Sequence, residues 1–170
     1  MASSLDIIKQ ILVSEMELPK TRVWAYNMNN NLPKDNKLFI ILSYGARSPF
    51  SNNIKYQDTV DGLNEIQTMN VAEDVLISLL SKGTEARDRA YEVQMALNST
   101  FSQQLQAKNK IFISKTGDVR DASFLEAASR INRFDIKCRV LKAYDKIKTV
   151  EYYDKFPIGA EFEAEYHIEP

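Results

Sequence analysis

The sequence is poor in the residues that most often carry chemistry. It holds one cysteine and one histidine in 170 residues. A lone Cys138 excludes an internal disulfide framework and suits a reducing compartment. His167 has no second histidine or neighbouring cysteine with which to build a zinc or catalytic site. The five glycines are never closely spaced, which leaves no phosphate-cradling loop. No apolar run approaches the ~18 residues that a membrane-spanning helix requires. The opening "MASSLDIIKQILVSEMEL" has no basic stretch and is interrupted by Lys9 and Glu15, so it is not expected to direct secretion. Together these absences predict a non-enzymatic protein made in the cytoplasm, with no cofactor, no metal and no membrane partner.

What is present is polarised charge. The formal net charge is −1, yet residues 130–148, "RINRFDIKCRVLKAYDKIK", carry seven Lys/Arg against two Asp. Residues 151–170, "EYYDKFPIGAEFEAEYHIEP", carry six acidic residues against Lys155. The length suits one domain, taken as residues 1–153, followed by an acidic C-terminal arm at 154–170.

Hydrophobic periodicity orders the elements. Leu5, Ile8 and Leu12 lie at helical spacing beside Ile7 and Ile11, with Ser3 or Ser4 as cap and Pro19 as stop. Residues 21–27 read as a short strand, and the Asn-rich stretch 27–36 as a surface loop. "KLFIILSYGA" (37–46) is apolar on both faces, as in a strand buried on both sides. It leads into "RSPFSNN" and "IKYQDTV", which predicts a long hairpin with its tip near Pro49–Asn53. Over 63–82, Met69, Val71, Val75, Ile77 and Leu79 share one face, and only Glu73 interrupts it.

After Gly83 the period changes. Thr84 caps a helix, Glu85 pairs with Arg89, and Ala86, Ala90, Val93, Leu97, Phe101 and Leu105 form one stripe. A strand follows at 110–119, then a helical turn or a loop at 120–129. In the basic segment Phe134, Ile136, Cys138, Val140 and Tyr144 alternate with Arg133, Asp135, Lys137 and Arg139, which predicts a long strand with one buried and one charged face. The expected fold is α+β: a mostly antiparallel sheet on two helices, with a long hairpin and an extended C-terminal arm.

Candidate sites follow from this layout. Cys138 falls on the apolar face and reads as a small hydrophobe, not a nucleophile. The carboxylates Asp58, Asp61, Glu65, Glu73 and Asp74 scatter over both faces and read as a solvated surface. The shared face of Arg133, Lys137 and Arg139 suits phosphates, but the aromatics Phe134 and Tyr144 point the other way, and a nucleic-acid-binding module is the lesser alternative. In the tail, Phe162, Ala164, Tyr166 and Ile168 alternate with Glu161, Glu163 and Glu165. That pattern describes either a solvated acidic tail or a strand that adds to a sheet edge, its carboxylates facing Arg133, Lys137 and Arg139 of a neighbour. Arg47, Ser48, Pro49, Phe50 and Asn53 form the expected contact tip, with Phe50 either an anchor in a partner or a plug for its own hairpin.

The segments "AEDVLISLLSKG", "TEARDRAYEVQMAL" and "AASRINRFDIKCRVLKAY" are similar in order to the tail terminator or neck proteins of tailed bacteriophages, particularly contractile-tailed ones. The likeness spans roughly residues 35–150. It implies a virion structural protein that forms a homo-hexameric ring in the neck, caps the tail tube and joins the tail to the head connector. The partners it implies are further copies of the chain, the tail-tube protein, head-tail connector proteins and the sheath, with genomic DNA passing through the lumen without specific binding. A head-completion or connector adaptor protein is the alternative within the same class.

Overall fold

The computed structural model describes residues 3–25, 35–60, 62–126 and 129–150. The chain opens with helix α1 (Ser4–Glu15), a 3-10 turn (Lys20–Arg22) and strand β1 (Val23–Ala25). The long strands β2 (Phe39–Thr59) and β3 (Gly62–Ser81) follow. Three short helices, α2 (Glu85–Asp88), α3 (Ala90–Leu97) and α4 (Thr100–Asn109), lead to β4 (Ile111–Asp121), β5 (Phe124–Glu126) and the long β6 (Ser129–Val150).

One sheet runs through the molecule in the order β1-β2-β3-β6-β4, with β5 paired to β6. Among the described residues only the β1–β2 pair is parallel. The fold is α+β, as expected. The strand expected at 21–27 is shorter where described, and residues 27–34 of the expected loop lie outside the described residues. The segment 120–129, expected as a helical turn or loop, holds the end of β4 and the strand β5.

The helices pack on one face of the sheet at its root. Ile7, Ile8, Ile11 and Leu12 of α1 and Ala86, Ala90, Val93 and Leu97 of α2 and α3 meet Ile40, Leu42, Val75, Ile77, Leu79, Ile136, Cys138 and Val140. On the opposite face a smaller cluster joins Trp24, Phe39 and Leu80, with the two rings 5.5 Å apart. Helix α1 starts on a capping box: the Ser3 hydroxyl accepts from the Asp6 backbone N–H, and the Asp6 carboxylate accepts from the Ser3 N–H.

The long helix expected after Gly83 is divided in three, which corrects the two-helix layout. Ser99 caps a new helix by accepting from the Ser102 N–H at 3.1 Å, and this resets the phase of the stripe. Phe101 therefore faces outward, while Ser102 and Gln106 turn inward. Their polar groups are all used. The Ser102 hydroxyl donates to the Leu97 carbonyl at 2.7 Å, Gln106 Nε2 donates to that hydroxyl at 2.9 Å, and the Ile113 N–H donates to Gln106 Oε1 at 2.8 Å. Glu85 does not take the expected partner: it accepts from the Leu38 N–H at 2.7 Å, while Arg89 pairs with Glu92.

Beyond the helices the sheet continues as a bare ribbon. Strands β2, β3 and β6 stay paired out to Thr59, Gly62 and Val150, roughly 40 Å past Arg47 at about 3.3 Å per residue. Most of β2 beyond Tyr44 is exposed, as is β6 from Tyr144 to Thr149. Core and ribbon therefore differ sharply in their tolerance of truncation. Ile11→Ala should destabilise by about 2–5 kcal/mol. Ile147→Ala should change stability by less than about 0.5 kcal/mol. Urea denaturation of the two variants tests this; equal losses would contradict the division.

Candidate functional site

The ribbon leaves the core at a buried polar cluster. Glu73 occupies a position of β3 whose neighbours on the same face, Val71 and Val75, are apolar and buried, and it is itself 1% exposed. Its carboxylate accepts from the Ser4 hydroxyl at 2.5 Å and from the Tyr144 hydroxyl at 2.8 Å. Arg47 Nε stands 3.5 Å away, and its guanidinium lies 3.8 Å from the centre of the Tyr44 ring. Four elements, α1, β2, β3 and β6, thus converge on one side chain. Burial and the bond to Glu73 both hold the Tyr144 hydroxyl above its ordinary pKa. The buried Lys142 approaches the Tyr144 ring, its Nζ 5.1 Å from the centre.

Two bulges in β2 flank this cluster. The register slips between Tyr44 and Arg47 and again between Pro49 and Ser51. Each slip flips the alternation of β2, so Arg47 and Pro49 face the core side, followed by Asn52, Ile54, Tyr56 and Asp58. Gly45 lies within the first slip, where an added Cβ would meet Asp74 at 3.4 Å.

The hairpin tip is not at Pro49–Asn53, which is a correction to the expectation from sequence. Pro49 pairs with Val71 and Asn53 with Thr68, both in mid-strand, and the turn joins Thr59 to Gly62. Gly62 has φ +125, a conformation that favours glycine. The missed signal was the Asp61-Gly62 pair, a common hairpin turn dipeptide. Ser48 faces Ala72, and Phe50 sits at the second slip, 59% exposed.

Of the basic residues, Arg133, Lys137 and Arg139 do share one face, the one turned away from the helices. Two of them are already engaged. Arg139 donates to Asp74 across the β3–β6 pair at 2.8 Å, and Arg133 donates to Asp135 at 2.9 Å and to Ser78 at 3.3 Å. Lys137 stands opposite Leu76 and is exposed. The bond from Arg139 holds the Asp74 carboxyl below its ordinary value. Cys138 is 2% exposed and burial pushes its thiol up to about 12, as expected of a small hydrophobe and not of a nucleophile. Glu161, Glu163 and Glu165 lie outside the described residues.

The ribbon carries exposed apolar side chains, among them Met69 from the face that the sequence pattern assigned to β3. Ile54, Tyr56 and Met69 lie on the core-side face of the ribbon, and Ile147 on the other, all between 43% and 65% exposed; Val60 lies at the turn. Polar cross-strand contacts hold the strands together, such as Thr68 with Asp145 at 2.7 Å and Thr149 with Asn64 at 3.1 Å. No group of three or more His, Cys, Asp or Glu suited to a metal occurs among the described residues.

The described residues thus form a small helix-covered core that bears a long three-stranded sheet arm. The chain belongs to the family of phage neck terminator proteins, whose model matches residues 3–164. That assignment agrees with the resemblance carried by the strand-to-helix junction and makes the protein a component of the phage neck. No curated protein sequence matches the chain.

Glu73→Leu leaves the Ser4 and Tyr144 hydroxyls without their shared acceptor and should destabilise by about 1–3 kcal/mol. Tyr144→Phe should cost measurably less in that background than alone, since the two act through one bond; a urea double-mutant cycle with no coupling would refute this. The Asp74–Arg139 pair contributes above the ordinary Asp value of 3.8 and is lost as pH falls through the lower folded value. Asp74→Asn should therefore flatten the decline of stability in that acid range, measured by urea denaturation at stepped pH.

Proposed function

We propose that the protein forms a homo-hexameric ring in the phage neck, closes the top of the tail tube and presents a surface to the head connector. The observation that supports this best is the three-stranded arm. A sheet exposed on both faces, with Ile54, Tyr56, Met69 and Ile147 in solvent, lacks the one-sided burial that stabilises an antiparallel sheet. Such a surface is suited to a partner.

In this reading the arm reaches across subunits or into the adjoining ring, and Phe50 and the apolar residues beyond it make the contact. The family description favours a terminator over a head-completion or connector adaptor. The tail-tube protein, the head-tail connector proteins and the sheath are the proposed neighbours, and genomic DNA passes through the lumen without specific contact. A free nucleic-acid binder receives less support, because Arg133 and Arg139 already hold Asp135 and Asp74.

Native mass spectrometry of the chain, alone and mixed with its phage's tail-tube protein, tests the proposal. A hexamer in either sample supports it, and a monomer in both overturns it. The paired variant Ile54→Lys with Tyr56→Lys should abolish the hexamer while leaving the urea midpoint of the folded subunit nearly unchanged. Retention of the hexamer would remove the arm from the interface.

A further inference from the structure

The arm has two open edges, and both are regular. On β2, strand β1 pairs only with Ile40, Ile41 and Leu42, and the two register slips and Pro49 come next. From Ser51 to Thr59 the register with β3 then runs without a break. On β6, strand β4 pairs as far as Lys142, and beyond it β6 follows β3 to Val150 with no slip. Among the described residues nothing pairs with the outer side of either stretch. Alternate residues of each therefore turn their N–H and C=O groups outward, which is the template an added strand needs.

The two edges match in level and direction. Asn52 and Tyr144 both stand opposite Met69, and Asp58 and Val150 both stand opposite Leu63. Strands β2 and β6 are each antiparallel to β3, so both run from root to tip. Copies standing side by side, with their cores at one end, set the β2 edge of one against the β6 edge of the next as a parallel pair.

Charge selects this pairing over its rivals. The β2 edge carries Lys55 and Asp58, and the β6 edge carries Asp145, Lys146 and Lys148. A slide of two residues keeps both faces continuous. It brings Lys55 opposite Asp145 and Asp58 opposite Lys148. The same register sets Ile54 beside Tyr144 and the exposed Tyr56 ring beside the Lys146 ammonium. Asp145 accepts from Thr68 at 2.7 Å, which holds its carboxylate in place. Two-fold antiparallel pairing of like edges has no such match. Lys55 and Asp58 lie on opposite faces of β2, and Asp145 lies on the opposite face from Lys146 and Lys148, so neither arrangement can oppose unlike charges.

We propose that β2 at Ser51–Thr59 of one copy pairs in parallel with β6 at Ala143–Val150 of the next, joining the arms into one continuous sheet. The contact is heterologous, each copy offering one edge and accepting at the other, and such a contact closes into a ring when the rotation allows. The proposal rests on the ring reading for that closure and names the surface through which the subunits meet.

Disulfide trapping in the full chain tests it, in a Cys138→Ala background with the phage's tail-tube protein present. Gln57 and Ile147 come opposite each other in the slid register. Within one subunit they lie on the two sides of β3, about 10 Å apart and beyond disulfide reach. Gln57→Cys and Ile147→Cys oxidised separately should give no crosslinked dimer. Their mixture should give crosslinked dimers, and the double variant a ladder up to the hexamer. Dimers from either variant alone would assign the edge to a two-fold contact and overturn the proposal. A hexamer by native mass spectrometry with no crosslink would overturn it and leave the ring standing; a monomer with no crosslink would overturn both. Crosslinked chains that run past six without closing would support the edge pairing and count against the ring. Lys55→Asp in the Gln57→Cys partner should cut the dimer yield about fivefold, and Asp145→Lys in the Ile147→Cys partner should restore it. Failure to restore would overturn the register on which the pairing depends.

Discussion

The Glu73 carboxylate sits at the point where a single sheet stops being a core and becomes an arm. A buried carboxylate is costly unless its oxygens are bonded and its charge is compensated. Here Ser4 fixes it to the N-terminal helix, Tyr144 to β6, and Arg47 brings a positive charge from β2. An apolar residue in its place would fill the gap but would not specify the angle at which three strands leave the helices. The cluster makes that departure geometry a consequence of hydrogen bonding, which is directional, instead of packing, which is not.

The bulges make sense in the same frame. An unbroken β2 would pass the cluster with its alternation fixed by Ile40 and Leu42. The slip after Tyr44 lets Arg47 face Glu73, and the slip after Pro49 restores an even-numbered core-side face to Asn52, Ile54 and Tyr56. Local irregularity near the root thus serves regularity beyond it. The same slips blunt the proximal edge, so one device answers two requirements.

Much of this fold was legible in the sequence because burial imposes periodicity. The stripe of α1, the alternation of β3 and the two-faced pattern of β6 all report residues packed against a core. The arm is legible only weakly, since a ribbon exposed on both faces selects neither face for apolar residues. That is why "RSPFSNN" looks like a turn although Pro49 and Phe50 stand in mid-strand, and why Asp61-Gly62 passed unnoticed. Glu73 did leave a signal, as the one charge in an apolar row. Its partners Ser4 and Arg47 left none, being distant in sequence. The break at Ser99 was similarly hidden, because the spacing of Phe101 and Leu105 continued the earlier stripe while a serine cap reset the helix.

The third strand of the arm explains more than its length. A two-stranded hairpin of this size would be only marginally stable and free to twist. Strand β6 follows β3 from Asn132 opposite Ser81 to Val150 opposite Leu63, so a single pairing without a register slip links root to tip. Opposed pairs such as Glu65 with Lys148 and Ile66 with Ile147 give that pairing cohesion without a covering layer. The consequence is topological. Stiffening the arm with the last long strand of the domain delivers the chain to the far end of the arm and away from the helices. The described chain therefore ends at Val150 at the tip of the arm, far from the helices.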